Sequence, residues 1–85
     1  MRFKESLKIE SIDKQGWIYV TPNSIKIGSK NGRITVFSFC DKIYNGVDSG
    51  GKSETECTIY INGDNSHYAG SFSIDDYHKL INNIE

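Results

Sequence analysis

The residues Gly46–Ser53 match the spacing G-x-x-x-x-G-K-[ST] of a phosphate-binding P-loop. In that motif backbone amides and the lysine hold phosphates, and the hydroxyl group ligates Mg²⁺. The motif also needs a helix that begins at its end, whereas residues 54–61 have the pattern of a strand. We therefore interpret the segment as a flexible glycine loop with Lys52 as a solvated charge. An anion-binding nest without nucleotide hydrolysis is the alternative.

Cysteine and histidine are the other residues that could carry chemistry, and the chain has Cys40, Cys57, His67 and His78. Their spacings include no close pair such as C-x-x-C, so no metal site is predicted. Neither thiol has the signature of a nucleophile beside a base. The sequence predicts two reduced, buried cysteines, with a cross-strand disulfide as the alternative. We expect no enzyme activity and no cofactor.

Aromatic residues are concentrated in segments that read as strands, and these are the candidate binding residues. The predicted partner-binding set is Trp17, Tyr19, Phe37, Phe39, Tyr60 and Tyr68. Residues 14–20 and 36–39 also resemble the aromatic strands of cold-shock domains, which stack bases amid basic side chains. The acidic second half of the chain opposes that interpretation, so nucleic-acid binding is the alternative.

The elements that must position these residues are mostly strands. Ile and Val outnumber Leu fifteen to two, a balance that favours strands. Turn signals at short intervals separate predicted strands at 3–11, 17–21, 25–29, 33–40, 54–61 and 66–72. Asn31-Gly32 predicts a two-residue type I′ hairpin within 25–39, and Asn62-Gly63 predicts another within 54–72. Residues 41–53 are expected to be the longest loop.

One helix is predicted, over residues 74–84. Ser73 is a suitable N-cap, and Asp75 and Asp76 suit the positive end of the helix dipole. The apolar residues Ile74, Tyr77, Leu80, Ile81 and Ile84 recur at helical spacing. This stripe is expected to lie on the sheet.

Several predicted strands are apolar on both faces, which one short helix cannot cover. Trp17 and Tyr19 alternate with Ile18 and Val20 along one strand, and Ile34–Phe39 shows the same property. Either the sheet curls into a small barrel, or an aromatic face stays open for a partner. The predicted fold class is mainly β (α+β), a small antiparallel sheet or partly closed barrel of five to six strands with one C-terminal helix. Residues 1–85 are expected to form a single domain.

Two blocks of the chain resemble short bacterial proteins of the FlbD type, which belong to flagellar and swarming motility. Residues 17–27 resemble the V-N-P-x-x-I opening of that family, and residues 57–63 with 71–81 resemble its strand, turn and closing helix. In that family the two blocks lie closer together than here. The resemblance implies a small sheet with a C-terminal helix and no catalytic residues.

The charge is close to balanced overall but uneven along the chain. Residues 1–42 contain eight basic and four acidic side chains, and residues 43–85 contain two basic and seven acidic ones. If the halves do not interleave in space, the surface is polarised, which favours a charged partner or self-association.

Neither a spanning segment nor a signal peptide is apparent, so a cytoplasmic location is expected. The predicted function is a small non-enzymatic protein-binding module. The Ile-, Lys- and Asn-rich composition favours a phage or mobile-element inhibitor that occupies a host protein. The alternatives are a single-stranded nucleic-acid-binding barrel and a small-ligand-binding oligomer.

Overall fold

The computed structural model describes residues 2–38, 40–46, 55–62, 64–65 and 70–85. It is mostly β, with two antiparallel sheets and one C-terminal helix. The strands are β1 (Leu7–Glu10), β2 (Trp17–Thr21), β3 (Ser24–Gly28), β4 (Ile34–Phe37), β5 (Ile43–Gly46), β6 (Glu56–Ile61), β7 (Asp64–Asn65) and β8 (Phe72–Ser73), and the helix is α1 (Ile74–Asn82). The predicted fold class is confirmed. The structure describes eight strands where six were predicted; β2 and β3 have the predicted length, and the others are shorter or were not predicted.

The first sheet is a meander with the order β1-β2-β3-β4. Its register pairs Ile18 with Ile9 and Ile27, and these three side chains are buried on one face. Because side chains alternate along a strand, the neighbouring residues Trp17 and Tyr19 turn to the opposite face. This sheet therefore has an inner face on the core and an outer face away from it.

The β3–β4 hairpin is predicted at the right place but with the wrong turn. Gly32 has a φ of +86°, whereas Asn31 does not have a positive φ. The amide of Gly32 donates to the Ser29 carbonyl, and the amide of Ser29 donates to the Arg33 carbonyl. These bonds close a three-residue loop of Lys30, Asn31 and Gly32 in place of the two-residue type I′ turn. The Asn31 side chain accepts a hydrogen bond from the Arg33 amide, and this bond stabilises the three-residue loop.

The second sheet has the order β5-β6-β7, and β8 also pairs with β6. Strand β5 lies within residues 41–53, which the sequence assigned to a loop. Its register pairs Ile43 with Ile61 and Tyr44 with Tyr60. Asn62, at the β6–β7 connection, has a φ of +54°. That left-handed conformation is what the predicted Asn-Gly hairpin requires at its first turn position.

Helix α1 begins as predicted, with Ser73 as its N-cap. The Ser73 hydroxyl accepts from the Asp75 amide at 3.1 Å, and Leu80 is fully buried. The helix contacts β1, β6 and β8. Within the described ranges, no helix is long and apolar enough to cross a membrane.

The core lies between the two sheets and the helix. It combines Ile18 and Val20 of the first sheet with Ile59 and Ile61 of the second, together with Leu80 of α1. The sheets do not close into a barrel, so the barrel alternative is wrong. The physical reason is that the second sheet and the helix cover the inner face, and the first sheet buries it without curling.

Candidate protein-binding face

The outer face of the first sheet is the candidate functional site. The registers of β1 to β4 place nine side chains on it, namely Lys8, Glu10, Trp17, Tyr19, Thr21, Ser24, Lys26, Ile34 and Val36. Trp17 and Tyr19 are half-buried, while Ile34 and Val36 are each 58% exposed. An aliphatic pair this open, beside two aromatic rings, is a patch of the kind that marks interaction surfaces.

The indole of Trp17 lies flat on the neighbouring strand because the residue opposite it is Gly28. A Cβ atom at position 28 would overlap the indole ring. The Lys8 ammonium lies 5.5 Å from the centre of the same ring, a cation–π distance. The indole of Trp17, the only tryptophan of the sequence, therefore lies against the Gly28 backbone and within cation–π distance of Lys8.

A second row of side chains crosses the face next to the tryptophan. Tyr19 pairs with Lys8 on one side and with Lys26 on the other, and Lys26 pairs with Val36. Among the described residues, neither Lys8 nor Lys26 makes an ion pair. The face therefore combines apolar area with two lysines and one carboxylate, that of Glu10, a net charge of +1.

The structure brings together only part of the predicted partner-binding set. Trp17 and Tyr19 share the outer face, whereas Phe37 pairs with Ile25 on the inner face and packs against the core. Tyr60 lies on the second sheet, where its ring stacks on Tyr44 with centroids 4.9 Å apart and planes within 3°. Phe39 and Tyr68 lie outside the described residues.

Sequence reasoning missed Ile34 and Val36 as members of the face. Alternation showed that they lie on the side opposite Phe37, but the sequence alone did not show which of the two sides is buried. The predicted set contained only aromatic residues, whereas in β4 the side chains that point outward are the aliphatic Ile34 and Val36.

The loop between β1 and β2 is fixed by the carboxylate of Asp13. This carboxylate forms an ion pair with Lys30 and accepts hydrogen bonds from the Ser11 hydroxyl at 2.6 Å and the Gln15 amide at 3.1 Å. Together the Lys30 ammonium, the Ser11 hydroxyl and the Gln15 amide lower the pKa of Asp13 well below its usual range. The loop thereby joins the β1–β2 connection to the β3–β4 hairpin and steadies one end of the first sheet.

The cysteines are buried free thiols. Burial raises the pKa of both Cys40 and Cys57, so they stay protonated and unreactive at neutral pH. Over the described part of the chain no cluster of side chains could hold a metal ion. The glycine loop of the P-loop match, from residue 47 onward, and His67 lie outside the described residues.

The two halves of the charge distribution do not interleave in the sheets. The first sheet is built from residues 7–37 and the second from residues 43–65 and 72–73, so the basic half and the acidic half occupy different sheets. The outer face belongs to the basic half. No family model, no curated protein and no solved structure matches the chain.

Proposed function

We propose that the chain is a small non-enzymatic protein-binding module whose partner docks on the outer face. The observation that carries the proposal is the exposure of Ile34 and Val36, each 58% open beside Trp17 and Tyr19. Covering an aliphatic side chain of this kind contributes about 1 kcal/mol or more, at roughly 25 cal/mol per Å² of apolar surface. The half-buried aromatic rings are suited to act as the anchors of such an interface.

The charges of the face favour a partner whose surface is apolar with acidic groups at its rim. Lys8 and Lys26 lie beside the rings without a described carboxylate partner, and complementary charge at a rim speeds association and selects partners. The composition of the chain favours a phage or mobile-element inhibitor. The partner would then be a host protein in the cytoplasm, which the chain inhibits by binding to it.

A matched pair of variants tests this function. Tyr19→Thr combined with Val36→Thr removes a ring and an exposed methyl surface from the outer face while keeping strand-forming residues. Tyr44→Thr is the control, because it removes a tyrosine ring from an outward position on the second sheet. Circular dichroism and urea unfolding establish that both variants fold.

Affinity purification from the native host, with mass spectrometry, then compares the variants with the natural sequence. We expect a protein captured by the natural chain and by Tyr44→Thr to be lost with the double variant, by at least about tenfold for a loss near 1.4 kcal/mol. Identical capture by all three proteins would refute docking on this face.

Single-stranded nucleic acid is the second candidate, and the Lys8 ammonium over the Trp17 ring is the observation that favours it. Base stacking would quench Trp17 fluorescence, and salt would reverse the quenching. We expect no quenching by a single-stranded thymidine oligonucleotide at about 0.15 M salt. Micromolar, salt-sensitive quenching would rank nucleic acid above protein.

A further inference from the structure

Strand β4 is an open edge of the first sheet. Among the described strands it pairs with β3 alone. Natural sheets guard such edges with charged residues, proline or a bulge, because the unpaired backbone groups can bind another strand. The β4 sequence Ile-Thr-Val-Phe contains none of these residues.

The hairpin shows which backbone groups point to the open edge. The Ser29 amide donates to the Arg33 carbonyl, so these two residues form a hydrogen-bonded pair across β3 and β4. Hydrogen-bonded and non-hydrogen-bonded pairs alternate in an antiparallel ladder, so Thr35 and Phe37 also bond to β3. The N–H and C=O groups of Ile34 and Val36 must therefore point away from β3, to the open edge.

We propose that β4 pairs antiparallel with β4 of a second copy of this chain, about a two-fold axis at Thr35. This register places Ile34 opposite Val36 of the second copy and Thr35 opposite its own equivalent. It uses the outward backbone groups of both copies in about four hydrogen bonds. The two sheets become one continuous sheet, and the two outer faces become one continuous surface. The proposal goes beyond the proposed function and does not depend on it.

A second copy of the chain is the partner proposed for this edge, because the side chains and charges of β4 are compatible with those of an identical strand. On the outer side the register joins one exposed aliphatic residue to another, and β4 itself contributes no charged side chain. The two copies of Lys26 are separated by the width of three strand spacings, about 14 Å. That distance exceeds the screening length of about 8 Å at physiological salt, so the lysines do not prevent the contact.

The size of the contact predicts a weak dimer. Pairing two four-residue strands buries on the order of 600 Å², about half of what stable complexes bury. We expect the mass from light scattering to rise toward twice the monomer value between about 10 μM and 1 mM, the range of weak contacts. Because the like charges of the two copies are already largely screened, added salt should not weaken the dimer, whereas it would weaken binding to nucleic acid.

Two cysteine variants test the register. In the proposed dimer the Cα atoms of the two Thr35 residues are about 4.5 Å apart, as in a non-hydrogen-bonded pair, which a disulfide can span. The two Val36 residues are offset by two positions, about 8 Å apart, which a disulfide cannot span. If disulfides formed only through random collisions, Val36→Cys would cross-link faster than Thr35→Cys, because Val36 is more exposed than Thr35.

Under mild oxidation of the purified protein, Thr35→Cys should form disulfide dimers at least about tenfold faster than Val36→Cys. The natural sequence, with its buried thiols, is the background control. Val36→Pro should abolish the rise in mass while circular dichroism shows an intact fold, because its missing N–H faces the open edge. A mass that stays monomeric up to about 1 mM, or cross-linking of Val36→Cys that equals or exceeds that of Thr35→Cys, would overturn the proposal and leave the edge to a foreign strand.

Discussion

Asp13 shows how one exposed side chain organises two connections of the first sheet. Its carboxylate holds Lys30 of the neighbouring hairpin and the Ser11 hydroxyl and Gln15 amide of its own loop. The adjoining Lys14 has a φ of +61°, so the backbone of this loop is held in a conformation that most residues avoid. The ion pair and hydrogen bonds of Asp13 hold the loop in this conformation together with the hydrogen bonds that Ser11 makes to Lys14 and Gly16.

The lowered pKa of Asp13 predicts a pH dependence of stability. A carboxyl group whose folded pKa lies below its unfolded value stabilises the fold above the unfolded value, near 3.8, and loses that contribution as the pH falls toward the folded value. Asp13→Asn should therefore lower the urea midpoint at pH 7, and the difference from the natural sequence should shrink below about pH 4.

Lys30→Gln is the companion variant, because Lys30 is the largest cause of the pKa shift. It should remove part of the same pH dependence. A difference between Asp13→Asn and the natural sequence that stays constant from pH 7 to pH 2.5 would contradict this role of the carboxylate.

The helix α1 depends on its N-cap. The Ser73 hydroxyl accepts from the Asp75 amide, and the Ile74 amide donates to the Thr55 carbonyl at 2.9 Å. Ser73→Ala should destabilise the protein by about 1 kcal/mol in urea unfolding, since it leaves an amide of the first turn without its acceptor. Ser73→Asp is the control and should stay close to the natural stability. Equal losses in both variants would show that Ser73 acts through β8 and not as a cap.

Elements with a strong local pattern were predictable from the sequence, and elements formed by tertiary pairing were not. The cap at Ser73 and the spacing of Ile74 and Leu80 predicted α1 to within two residues of its end. Strand β5 was predicted to be part of a loop because the strand itself contains Asn45-Gly46, a pair that is typical of turns. Pairing with β6, including the stack of Tyr44 on Tyr60, overrides that local preference.

At the scale of the whole molecule, the sequence predicted that an aromatic face could stay open, but it did not predict which residues form that face. Alternation placed Trp17 and Tyr19 on one face, as the structure has them. The sequence could not show which side of β4 would join them, because that depends on the register between β3 and β4. The register places Phe37 in the core and Ile34 outside. The resemblance to the FlbD type stays a prediction.

The first and last parts of the described chain are held together by Asn83. Its side chain donates to the Glu5 carbonyl at 2.8 Å and accepts from the Glu5 amide at 3.3 Å, and its own carbonyl accepts from the Lys4 amide at 2.7 Å. Phe3, buried in the core, forms a β-bridge with Ile84 beside this contact. One buried asparagine thus couples the N-terminal segment to the end of α1.

Asn83→Ala should cost about 1–3 kcal/mol in urea unfolding, because it leaves the N–H and C=O groups of Glu5 without their partner. The neighbouring Asn82 is exposed, so Asn82→Ala is the matched control and should change stability by less than about 0.5 kcal/mol. A small loss at position 83, equal to that at position 82, would show that solvent replaces the asparagine without cost.

The glycine beneath the Trp17 ring has a spectroscopic consequence. One Hα proton of Gly28 points where a Cβ atom would overlap the indole, so it lies over the ring face. The ring current of the indole shields a proton in that position, and the Gly28 Hα resonance should be displaced upfield from the other glycine signals. A ligand that moves Trp17 would return this resonance toward its ordinary position. One proton in an NMR spectrum thus reports whether the outer face is occupied.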